Sequence, residues 1–92
     1  MNKISFAHTI AWQVLPNMSF AYACNYETRK YFKFEETGLV IWLCIADNAP
    51  ISQNDLQVKI ADYYGVGREV VEQDVNEFIT SLFEEGLIEY NE

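Results

Sequence analysis

Basic residues are scarce in this chain. Its 92 residues include six Lys and Arg against fourteen Asp and Glu, which gives a net charge of −8. Nucleic-acid backbones and anionic lipids attract proteins through a surplus of Lys and Arg. We therefore expect neither a nucleic acid nor a membrane surface as the ligand.

Cysteine and histidine are also sparse, at two residues and one residue. A structural zinc site needs about four closely spaced ligands, and His8 lies far in sequence from Cys24 and Cys44. We expect no metal site and no disulfide. Cys44 lies in an apolar run and is predicted to be a buried free thiol.

Patterns typical of catalysis are missing as well. Gly65-x-Gly67 is too short for a phosphate-binding loop and falls between two predicted helices. The Glu84-Glu85 pair lies at a helix end, where solvated charge is the simpler interpretation. We expect a binding protein without a cofactor rather than an enzyme.

No apolar run reaches the roughly 18 residues of a membrane-spanning helix, and Leu39–Ala46 is predicted to be a core helix. The N-terminus lacks the basic-then-apolar order of a secretion signal, which predicts a cytoplasmic location. Half of the residues are hydrophobic and 15% are aromatic. This composition predicts one folded domain over residues 1–92.

Three short segments have the pattern of strands: Ile10–Leu15, Met18–Cys24 and Lys30–Phe34. Turn residues at Pro16-Asn17 and at 25–28 separate them, so an antiparallel meander is predicted. Residues 1–9 show no clear period and are expected to be loosely held.

Three helices are predicted to follow, over Thr37–Ala46, from Ser52 to Gly65, and over Arg68–Glu85. The fold class is therefore α+β, with a three-stranded antiparallel sheet before three helices, similar to a winged helix-turn-helix. The last helix carries six carboxylates and one base, which is unsuited to reading DNA.

Half of the Lys and Arg residues, namely Arg29, Lys30 and Lys33, lie on the third predicted strand or at its entrance. One interpretation is a charged edge that blocks strand-to-strand aggregation. The other is an edge that attracts an acidic peptide. Trp42 is predicted to lie in the core, and Tyr31 to point away from it.

The junction between this strand and the first helix resembles that of PqqD-like proteins. The resemblance extends from about Ala11 to Glu89. Glu35 departs from the pattern, since the family usually has Asn or Asp there, and we expect Glu36 or Thr37 to take over the helix start. The segments that carry the resemblance are Lys30–Gly38 with Ile41-Trp42, Tyr64-Gly65-Val66, Glu72-x-Asp74-Val75-x-x-Phe78, and Leu82-x-x-x-Gly86-Leu87-Ile88.

Resemblance to this family implies a recognition element for the leader segment of a ribosomally made precursor peptide. The leader would add as a strand beside the third strand and be presented to a radical-SAM maturase or a leader peptidase. The candidate peptide-binding residues are Arg29, Lys30, Tyr31, Phe32, Lys33, Val70, Val71, Asp74 and Phe78.

Other interpretations remain open at this stage. A winged-helix transcription regulator or a protein–protein interaction module would have a similar shape, and the exposed aromatic residues near the third strand would equally serve a homodimer. Lasso peptides, quinone-cofactor precursors and radical-SAM-modified peptides are all compatible with the leader hypothesis.

Overall fold

A computed structural model describes residues 3–15, 17 and 19–91. The turn predicted at Pro16 and the strand start predicted at Met18 lie outside these residues. No helix within the described part is long and apolar enough to cross a membrane. In chain order the elements are β1 Lys3–Phe6, β2 Ile10–Leu15, β3 Phe20–Asn25, β4 Lys30–Glu35, α1 Thr37–Asn48, α2 Gln53–Tyr64, α3 Arg68–Glu84 and β5 Ile88–Asn91.

The predicted meander is confirmed, with β2, β3 and β4 forming an antiparallel sheet in that order. Ala21 is opposite Phe34 and Ala23 is opposite Phe32. Because side chains alternate along a strand, these residues share the inner face of the sheet. Both alanines and Phe34 are buried there.

For residues 3–9, the expectation of a loosely held N-terminal segment is wrong, and the part of that prediction that falls on residues 1 and 2 lies outside the described residues. Strand β1 pairs with β5 in a second, two-stranded antiparallel sheet, and Ile4 of β1 is fully buried. Ile4 also exchanges backbone hydrogen bonds with Ile51, just before α2, at 2.7 and 3.1 Å. The first strand is thus held by a partner far away in sequence, which no local pattern reveals.

The three predicted helices are present, and local chemistry explains both ends of α2. Helix α1 begins after Glu36, which has φ +56° and no side-chain cap hydrogen bond, and runs two residues beyond the predicted Ala46. At α2, the Ser52 hydroxyl accepts a hydrogen bond from the Asp55 amide, and Gly65 closes the helix in the left-handed region.

Trp42 lies in the core, as predicted, and is fully buried. Its ring stacks on Phe6 of β1 at 4.3 Å and on Phe34 of β4 at 4.4 Å. Aromatic pairs of this kind add to the free energy gained by burying apolar area. The stack therefore joins the N-terminal strand, the first helix and the last strand of the larger sheet.

Candidate peptide-binding site

Strand β4 lies at an edge of the three-stranded sheet, and no described strand pairs with its outer side. The direction of its backbone groups follows from the neighbouring strands. The Tyr26 amide donates a hydrogen bond to the Thr9 carbonyl, on the β2 side of β3, at 3.1 Å. Since backbone groups point to opposite sides at successive residues of a strand, Asn25, Ala23 and Ala21 direct theirs toward β4.

The register then fixes which groups of β4 face outward. Lys30, Phe32 and Phe34 are opposite those three β3 residues and form the hydrogen-bonded pairs of the ladder. The amides and carbonyls of Tyr31 and Lys33 therefore point to the open edge. An added strand would find its main-chain partners at these two residues.

The side chains of β4 divide between the two faces of the sheet. Phe32 is half-buried and packs against the core, on the same face as Phe34. Tyr31 lies on the outer face and is 77% exposed. Of the two adjacent rings predicted to contact a peptide, Phe32 therefore lies on the core side and Tyr31 on the far side of the sheet.

Helix α3 presents a stripe of residues toward this edge. The spacing of four, four, three and four residues places Val70, Asp74, Phe78, Ser81 and Glu85 along one side of the helix. Val70 is 62% exposed and Asp74 is also exposed, whereas Phe78 is half-buried. The stripe is apolar in part and bears carboxylates near both ends.

Val71 does not belong to this stripe. It is only 8% exposed and packs in the hydrophobic core with Val75 and Ile79. Val71 was predicted to contact the peptide, but its burial in the core leaves it little surface for such a contact, whereas Val70 is exposed.

Phe34 and Phe78 bring β4 and α3 together near the end of the strand. Their rings meet edge to face with centroids 5.6 Å apart. A Cβ atom added at Gly38 would lie 3.3 Å from Phe78 Cε1, so the missing side chain lets α1 approach the ring closely. Beside this contact lies a cleft of about 290 Å³, lined by Thr37, Gly38, Ile41, Asp74, Glu77, Phe78 and Ser81.

Asn25, the last residue of β3, joins the turn before β4 to the end of α3. Its side-chain nitrogen donates to the Gly86 carbonyl at 2.9 Å, and its oxygen accepts from the Glu27 and Thr28 amides at 3.0 and 3.3 Å. Asn25 is 4% exposed. Asparagine is typical of turns, so sequence reasoning found the turn here but missed the link to α3.

A surface ion pair lies next to this link. Lys30 Nζ lies 3.4 Å from Glu85 Oε1, so Glu85, interpreted from the sequence as solvated charge, lies opposite a base of this same protein. Both side chains are substantially exposed, and such pairs contribute little to stability. The pair nevertheless shows that β4 and the end of α3 carry opposite charges where they face each other.

The three bases predicted to steer a peptide do not form one patch. Lys30 faces α3, whereas Lys33 lies on the outer face, 3.9 Å from Glu35 and 4.5 Å above the Phe20 ring. Arg29 lies in the turn and makes no ion pair with any described residue. Residues three apart on a strand point to opposite faces, which separates the two lysines.

No group of three or more metal-binding side chains occurs within residues 3–15, 17 and 19–91. Cys24 and Cys44 are both free. Cys44 is half-buried rather than fully buried as predicted, and burial raises the pKa of its thiol. A raised thiol pKa lowers the fraction of reactive thiolate at neutral pH.

Comparison with known proteins identifies the family of this chain. Residues 23–88, more than half of the chain, match the family described as coenzyme PQQ synthesis protein D (PqqD). The chain belongs to the PqqD family. The matched range begins in β3 and ends at the start of β5, and it contains both β4 and α3.

A solved structure shares the PqqD-type fold of this chain. TbiB1, determined in complex with the TbiA(beta) leader peptide, superposes with a TM-score of 0.79 at 20% sequence identity. The match covers 92% of this chain and 94% of TbiB1. No curated protein matches the sequence. The α+β architecture, with a three-stranded sheet before three helices, is thus that of the family.

Proposed function

We propose that this protein binds the leader segment of a ribosomally synthesised precursor peptide and presents it to a modifying enzyme. The partner enzyme would be a radical-SAM maturase or a leader peptidase. Membership of the PqqD family supports this proposal, as does the fold shared with TbiB1, whose structure contains a leader peptide. The protein would contribute binding and not catalysis.

The observation that carries the proposal is the open edge of β4. The amides and carbonyls of Tyr31 and Lys33 point away from the sheet, where a peptide strand would complete the ladder. Main-chain hydrogen bonds would supply affinity without depending on the peptide sequence. A leader segment in an extended conformation is the ligand whose main chain can form hydrogen bonds with all of these groups.

Selectivity would come from side chains that alternate along the added strand. Those pointing inward would meet the α3 stripe, where Val70 and Phe78 offer apolar surface. Asp74 would accept a hydrogen bond or pair with a base of the leader. Phe32 would support the same apolar contact from the β4 side.

The sharpest test replaces one outward-pointing amide. Lys33→Pro removes an N–H that faces the open edge and leaves the β3–β4 ladder intact, a position where edge strands tolerate proline. Lys33→Ala removes the same side chain and keeps the amide. The two variants therefore separate main-chain from side-chain binding.

The assay is fluorescence polarisation of a labelled synthetic leader peptide, chosen from short precursor genes sought in the neighbourhood of the gene for this chain. We expect Lys33→Pro to weaken binding by about tenfold or more, because a lost hydrogen bond and an obstructing ring together cost upwards of about 1.4 kcal/mol. Lys33→Ala should weaken binding less. Equal affinities for both variants, with folding intact, would refute strand addition at β4.

DNA binding is the alternative that the structure disfavours most. The carboxylates of α3 are exposed, and its one base, Arg68, donates a hydrogen bond to Gln57 at 2.8 Å and lies 4.0 Å from Glu72. A helix with this charge would repel phosphates. A gel shift at low salt should therefore show no complex with DNA. Absence of leader binding even at high micromolar peptide would instead favour a protein–protein interaction module with a different ligand.

A further inference from the structure

The outer face of the larger sheet carries an unusual set of side chains. An antiparallel sheet with one face on the core normally presents polar residues on the other. The register gives nine outward positions on the three strands, namely Ala11, Gln13, Leu15, Phe20, Tyr22, Cys24, Tyr31, Lys33 and Glu35. Six of these nine are apolar or aromatic, which is more than an outer face turned only to water normally carries.

This surface, which we call the outer sheet face, is accessible in the protein alone. Tyr31 is 77% exposed and Tyr22 is 44% exposed. Between them lies a shallow depression of about 220 Å³ that also includes Cys24. Contiguous exposed apolar surface of this kind marks interaction sites in soluble proteins.

The outer sheet face would be extended by a bound leader. A strand added at β4 directs every second side chain inward to α3 and the others outward, beside Tyr31 and Lys33. A protein docked on the outer sheet face would then touch the leader and this chain at once. Such a surface is complete only when the leader is present.

Charge indicates which kind of partner covers the outer sheet face. The outer sheet face is close to neutral, since Lys33 and Glu35 lie 3.9 Å apart there, while α3 carries many exposed carboxylates. A second copy of this chain would bring two net charges of −8 together, which opposes association. A partner with an apolar patch that is not itself strongly acidic fits better.

We propose that the outer sheet face is the docking surface for the modifying enzyme, which binds it together with the outward side chains of the leader. This inference rests on the proposed function. It places the leader and the enzyme on one composite surface, so the two should bind cooperatively: leader raises the affinity for enzyme, and enzyme raises the affinity for leader by the same factor.

The two free cysteines provide a test within one molecule. Cys24 lies in the outer sheet face, and Cys44 lines a separate cleft between α1 and α2. The experiment alkylates the leader-bound protein with iodoacetamide, with and without the purified maturase or peptidase that modifies the same precursor. We expect severalfold slower alkylation of Cys24 in the ternary complex and an unchanged rate at Cys44.

Other outcomes would overturn the inference. Protection of Cys44 in place of Cys24 would assign docking to the α1–α2 cleft. If sedimentation verifies the complex and the alkylation rates of both thiols are unchanged, the enzyme does not dock on the outer sheet face. Protection of Cys24 that grows with the concentration of this protein alone would assign the face to a second copy.

A pair of variants gives an independent measurement. Tyr22→Thr removes a ring from the outer sheet face and keeps a β-branched residue in the strand, whereas Tyr63→Ala removes a ring on α2 that is 68% exposed. We expect Tyr22→Thr to weaken enzyme binding severalfold with little change in leader affinity, and Tyr63→Ala to change neither. Normal enzyme affinity in folded Tyr22→Thr would refute this inference alone, whereas failure of the leader to bind the unmodified protein would refute the proposed function.

Discussion

Replacing Asn25 should loosen the whole binding edge, although this residue is absent from the predicted contact set. Its side chain is the buried connection between the turn before β4 and the end of α3. Asn25→Ala would remove the buried link between this turn and α3, leaving only the exposed Lys30–Glu85 pair at that end and the Phe34–Phe78 contact at the other. The spacing between β4 and α3 would then be held less firmly.

The magnitude follows from the hydrogen bonds that are lost. Asn25 takes part in three through its side chain, at 2.9, 3.0 and 3.3 Å. Each contributes about 0.5–1.5 kcal/mol, so the free energy of unfolding should fall by about 2–4 kcal/mol. That is a large part of the roughly 5–15 kcal/mol typical of a domain.

The matched control is Asn48→Ala. The Asn48 side chain donates a hydrogen bond to the Cys44 carbonyl at 2.8 Å, within its own helix. Urea unfolding should show a loss for Asn48→Ala well below that for Asn25→Ala, and leader affinity should fall only for Asn25→Ala. A stability for Asn25→Ala within about 0.5 kcal/mol of the unmodified protein would contradict the proposed link.

Further predictions concern the same region. Gly86→Ala should lower the free energy of unfolding by about 1–2 kcal/mol, because Gly86 has φ +74° and a new Cβ would lie 3.1 Å from Asn25 Nδ2. Thermal unfolding should show a melting temperature lower by several degrees, and an unchanged melting temperature would contradict the expected backbone strain. Lys33→Glu should weaken an acidic leader more at low salt than at high salt; an equal loss at both would exclude steering by this charge. A double-mutant cycle on Lys30 and Glu85 should give a coupling below about 1 kcal/mol, because both side chains are exposed; a larger value would show that solvent does not screen the pair.

The sequence was sufficient for the architecture wherever local chemistry decides it. Alternation along Lys30–Phe34, the cap at Ser52 and the left-handed glycine at Gly65 each act within a few residues, and the predicted elements agree with the structure there. The β1–β5 sheet depends instead on pairing between the two ends of the chain. Its strands are four residues long, too short to show a period.

The candidate site was predictable in outline but not in its charge arrangement. The β4 edge and Phe78 follow from the family pattern, and the structure brings them together. The separation of Lys30 from Lys33 follows from strand alternation, yet only the position of α3 shows which lysine faces it. The roles of Asn25 and Glu85 could not be predicted from the sequence, because their partners Gly86 and Lys30 lie 61 and 55 residues away along the chain.

Hydrogen exchange of individual β4 amides tests strand addition most directly. The outward amides of Tyr31 and Lys33 should become strongly protected when the synthetic leader binds. Those of Phe32 and Phe34 already belong to the β3–β4 ladder and should change little. This alternating pattern is the predicted result, and uniform protection along β4, or none at Tyr31 and Lys33 with leader bound, would contradict it.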